Sequence, residues 1–80
     1  MKILETSNID TSILLNSSRG SVINMGDGPE RVITHGIGNR QGYFPGQSVH
    51  KIITKDNKDH LKQYYIPEVG GVMIEKYGNK

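Results

Sequence analysis

Eighty residues with no cysteine and a formal net charge of +2 allow one small domain, spanning residues 1–80, and exclude disulfide staples and cysteine-ligated zinc. A chain this short buries only about 60–65% of its unfolded surface, so self-association or a bound ligand would add to a thin margin of stability. The run Met1-Lys2-Ile3-Leu4-Glu5 lacks the apolar core of a signal peptide, and no apolar run approaches the roughly 18 residues of a membrane span. The expectation is a cytoplasmic protein without a membrane partner.

In chain order the apolar clusters are short and rich in β-branched residues. Ile3-Leu4, Ile13-Leu14-Leu15, Val22-Ile23, Val32-Ile33, Val49 to Ile53 and Val72-Met73-Ile74 each lie between turn signals, which is the pattern of strands. Asn16-Ser17-Ser18-Arg19-Gly20 reads as a hairpin turn between the second and third clusters. Gly26-Asp27-Gly28-Pro29 leads the chain into the fourth. Asp27 and Glu30 beside Arg31 read as a local salt bridge.

Residues 34–47, Thr-His-Gly-Ile-Gly-Asn-Arg-Gln-Gly-Tyr-Phe-Pro-Gly-Gln, form the most unusual stretch. Its glycines are spaced G-x-G-x-x-x-G and no helix follows, so it is not a dinucleotide fingerprint. The Gly-Lys-Ser or Gly-Lys-Thr of a phosphate loop is absent, and no cofactor is implied. What remains is general physics. Gly36, Gly38 and Gly42 let backbone N–H groups converge on an anion, and Arg40 adds a guanidinium fork. Tyr43 is expected to face outward and stack on a base, while Phe44, with no polar tip, anchors the loop in the core.

A basic strip follows. His50, Lys51, Lys55, Lys58, His60 and Lys62 stand against only Asp56 and Asp59. In residues 56–65 the apolar positions fall at Leu61, Tyr64 and Tyr65, the i, i+3, i+4 spacing of a helix face. Asp56 suits the N-cap and Pro67 ends the segment. The predicted fold is therefore mainly β (α+β). It is a small curved sheet or partly closed barrel of about five to six short strands, with one short helix near residues 57–65.

Three functions compete. The first is a small binding module for a phosphate-bearing ligand, nucleic acid or nucleotide, contacted by Gly36, Gly38, Arg40, Gly42, Tyr43, Lys51 and Lys55. The second is a small protein-binding inhibitor or adaptor that uses a strand edge or the aromatic loop. The third is a metal-independent ribonuclease. It would use His35 and His50 as acid and base, with Lys51 or Arg40 steadying the phosphate. No metal site is expected, because no histidines sit at i, i+4 on a helix and carboxylates do not cluster beside them.

Overall fold

The computed structural model describes residues 2–7, 11–26 and 28–77. Its strands are β1 (Lys2–Ser7), β2 (Val22–Asn24), β3 (Pro29–Asn39), β4 (Ser48–Asp56), β5 (Leu61–Pro67) and β6 (Val72–Tyr77), with the five-residue helix α1 (Thr11–Leu15) between β1 and β2. They make one antiparallel sheet in the order β1-β6-β5-β4-β3-β2. From β2 to β6 the chain meanders, and β1 pairs with β6 along its whole length. The mainly β class, the curved sheet and the single short helix are as the sequence implies. The sheet stays open, with β1 and β2 at its edges.

The helix is not where periodicity put it. Residues 61–67 are β5, paired on both sides with β4 and β6. Tyr64, Tyr65 and Ile66 are consecutive and all buried because both faces of the sheet are covered here. A strand buried on both faces shows no alternation, and a short amphipathic run then resembles helix. Asp56 caps a turn instead of a helix. Its Oδ1 accepts the N–H groups of Lys58 at 2.8 Å and His60 at 2.9 Å, and Asp59 takes the left-handed conformation.

Conversely, Ile13-Leu14-Leu15, expected as a strand, lies in α1. Leu14 is completely buried while Ile13 and Leu15 stay about 40% exposed, so one side chain pins the helix to the sheet. Ser17 satisfies the last turn, its hydroxyl donating to the Leu14 carbonyl at 2.6 Å. In the turn before β3, Asp27 lies outside the described residues.

The sheet thus has a helix face and an open face. Cross-strand register aligns Ile52, Tyr64 and Ile74 on the helix face, where they pack with Leu14, Val32 and Ile66. A bulge at Ile33 shifts the register of β3, so that His35 stands opposite Ile52. Glu30, only 2% exposed, is on this face too. It accepts hydrogen bonds from Thr54 Oγ1 (2.7 Å), Tyr64 OH (2.8 Å) and Lys62 Nζ (2.7 Å). The expected Glu30–Arg31 pairing is absent for a simple reason: neighbours on a strand point to opposite faces.

Leu14→Ala should destabilise the domain by about 2–5 kcal/mol in urea unfolding, because it opens a cavity and releases α1. Backbone chemical shifts should show strand, not helix, from Leu61 to Pro67. Helical shifts there would refute this topology.

Candidate functional site

Alternation along β4 puts Val49, Lys51, Ile53 and Lys55 on the open face, and the register extends this face sideways. Arg31 is opposite Lys55, Thr34 opposite Ile53, Gly36 opposite Lys51 and Gly38 opposite Val49. On the other side of β4 come Leu61, Gln63 and Tyr65, then Tyr77, Glu75 and Met73 on β6. Lys51, Lys55, Gly36 and Gly38, chosen from sequence, therefore share one surface. Gly36 and Gly38 belong to the strand, not to a loop. No atom would meet a Cβ at Gly36, and the Lys51 side chain lies over Gly38, with Cε and Nζ 3.4 Å from where a Cβ would stand. The glycines make a flat floor beside the lysine.

Arg40 and Tyr43 bend over the end of the same face, but they point into it. Tyr43 OH donates to Glu75 Oε2 at 2.5 Å, and the Arg40 guanidinium lies 3.7 Å from that oxygen and 4.4 Å above the Tyr43 ring. Tyr65 and Tyr77 donate to Glu75 Oε1 at 2.9 and 2.7 Å. Glu75 itself is 1% exposed. The expectation that Tyr43 faces outward is therefore corrected. A phenol has a hydroxyl to offer a buried carboxylate and Phe44 does not, so Tyr43 is the ring that anchors the loop. Phe44 packs edge-on against it.

Four amides of the turn are already committed within it. The amides of Tyr43 and Phe44 both donate to the Arg40 carbonyl, that of Gln47 to the Phe44 carbonyl and that of Gly46 to Gln41 Oε1. These N–H groups close the turn rather than meet a ligand. Gly42 has no neighbour that its Cβ would touch and lies on the exposed rim of the turn.

The histidine pair is real but lies on the helix face. His35 Nε2 and His50 Nδ1 are 3.0 Å apart, and His35 Nδ1 is 2.8 Å from the Ser17 carbonyl. A carbonyl only accepts, so His35 carries its proton on Nδ1 when neutral and takes a hydrogen bond from His50 Nδ1–H. One imidazole nitrogen, His50 Nε2, then remains for an outside partner, beside Ser18, Arg19 and Ile37 in an open depression of about 430 Å³. Acid and base in RNA cleavage must stand on either side of a phosphate. Two rings bonded directly to each other leave no room for one, and Lys51 is on the opposite face.

Arg31 and Glu75 went unmarked in the sequence as site residues. In the sequence Arg31 reads as the partner of Asp27 and Glu30 in a local salt bridge. The signal for Glu75 was a lone carboxylate directly after the apolar run Val72-Met73-Ile74, in a chain holding four tyrosines. Among the described residues no cluster of three or more His, Cys, Asp or Glu could hold a metal, and no helix is long and apolar enough to cross a membrane. No protein-family model, curated protein or solved structure matches the chain.

The hydrogen bond to Glu75, assisted by burial, pushes the Tyr77 phenol up to about 12, and burial followed by the Glu75 hydrogen bond also raises Tyr65. A raised value means that the folded state holds the proton more tightly. The associated stability is complete below the ordinary phenol value of about 10 and is lost as pH rises through about 12. Phenolate absorbance should show this late ionisation, and Glu75→Gln should bring it down. Tyr43→Phe should cost about 1.5–3 kcal/mol in urea unfolding, the worth of a hydrogen bond to a charged group. An unchanged midpoint would mean that the loop is not held by Glu75.

Proposed function

We propose that this protein binds a phosphate-bearing polymer, single-stranded nucleic acid, across the open face of its sheet. The observation that carries the reading is the charge on that face. Arg31, Lys51 and Lys55 stand on its strands, whereas the one strand carboxylate there among the described residues, Glu75, is buried and occupied by tyrosines and Arg40. Arg31 and Lys55 are directly opposite each other. Like charges so placed cost folding stability, and an anion above them relieves that cost. Asp59, 3.6 Å from Lys55, offsets it in part.

The spacing favours a polymer over a mononucleotide. Lys51 and Lys55 are four residues apart on one strand, about 13 Å, so they line a track instead of converging on one phosphate. Ile53, Leu61, Gln63 and the Tyr77 ring border a depression next to this track, which suits the flat face of a base. In this reading Arg40 and Tyr43 shape the end of the surface, and no catalytic step is assigned. A protein-binding inhibitor or adaptor is the second reading, favoured by the uncovered edge of β3 beyond its bulge and by Ile37, 70% exposed.

Fluorescence anisotropy with a labelled oligonucleotide, repeated over a range of salt, separates the two. Binding should weaken steeply with salt, and each of Lys51→Ala and Lys55→Ala should reduce the logarithmic salt slope by about 0.7. No binding at low salt, or lysine variants that bind like the parent, would overturn the nucleic-acid reading. A protein contact through apolar anchors would be nearly indifferent to salt.

A further inference from the structure

We propose that β3 pairs through its outer edge with β3 of a second copy of this chain, antiparallel about a two-fold axis at Ile37, so that two six-stranded sheets join into one. β2 covers only Pro29 to Arg31 of β3. The last backbone bonds on that side are Gly20 N–H to the Val32 carbonyl and Val32 N–H to the Ser21 carbonyl, both 2.8 Å. Past the bulge, no described residue pairs with the outer edge of residues 34–39. Alternate residues of an edge strand direct their N–H and C=O groups away from the sheet, where they template another strand.

The composition of this edge points to a copy of itself. Thr34-His35-Gly36-Ile37-Gly38-Asn39 contains no Lys, Arg, Asp, Glu or Pro, the residues that keep edges apart. The other edge strand, β1, carries Lys2 and Glu5. His35 already bonds to Ser17 and His50. Opposed residues of an antiparallel pair share a face, so a two-fold axis must pass through a residue that meets its own copy. Centring on Ile37 sets His35 opposite Asn39 and Gly36 opposite Gly38. It brings together two Ile37 side chains, each 70% exposed in the single chain, next to Leu15 at 41%. Centring on Gly36 would join two residues without side chains and gain less apolar burial. The axis runs through the sheet, so both open faces stay on one side and the glycine floors of the two copies become continuous.

The inference rests on the strand edge and not on ligand binding, and it is tested with the full chain and no oligonucleotide. Light scattering after size exclusion and sedimentation, over a wide concentration range, should give a dimer. Amide exchange should show protection within residues 34–39. Ile37→Lys places two ammonium groups opposite each other at an exposed position. It should keep the parent's circular dichroism, weaken dimerisation at least about tenfold and abolish that protection. A monomer at every concentration would overturn the proposal. So would a dimer in which 34–39 exchanges freely, or one that survives Ile37→Lys.

Discussion

The Glu75 carboxylate, 1% exposed, has to be paired, and much of the open face is arranged around that requirement. Removing a charge from water costs several kcal/mol unless hydrogen bonds and an opposite charge replace its hydration. Here three phenols supply the hydrogen bonds and Arg40 supplies the charge. The donors come from three parts of the chain: Tyr43 from the β3–β4 turn, Tyr65 from β5, and Tyr77 from the strand of Glu75 itself. One carboxylate therefore fixes where the fourteen-residue glycine-rich stretch 34–47 folds back, a role that a small cysteine-free domain cannot give to a disulfide.

Glu30 does the same on the helix face. It gathers Thr54 of β4 with Lys62 and Tyr64 of β5 around an acid at the start of β3. A one-residue slip of register would send each of these polar groups to the wrong face and leave it unpaired. The paired carboxylates therefore specify the β3-β4-β5-β6 register more sharply than the apolar core, which would accept several arrangements of isoleucine and valine.

This internal use of acids has a consequence outside. Two of the chain's carboxylates are withdrawn from the surface, and with them Lys62 and, in part, Arg40. The cations left on the open face are Arg31, Lys51 and Lys55, and Asp59 offsets Lys55 in part. The modest formal charge of the whole chain thus hides an uneven surface. The proposed function rests on that unevenness, together with the flat Gly36 and Gly38 floor.

Much of this was legible in residues 1–80. Short β-branched clusters between turn signals define a small mainly β domain, because burial on a pleated surface favours those side chains. Lys51 and Lys55, two positions of equal parity in one strand, had to share a face wherever that strand lay. Only the tertiary structure decided the rest. Residues 61–67 are a strand because α1 and the 40–47 turn cover its two faces, a fact about distant segments that local periodicity does not contain. Tyr43 turns inward because Glu75, more than thirty residues away in sequence, is the acceptor it reaches. His35 and His50 meet because a single bulge at Ile33 resets the face of β3. Local pattern marks most of the strands, distant segments decide residues 13–15 and 61–67, and pairing of buried charges across the sheet determines which side chains stay on the surface.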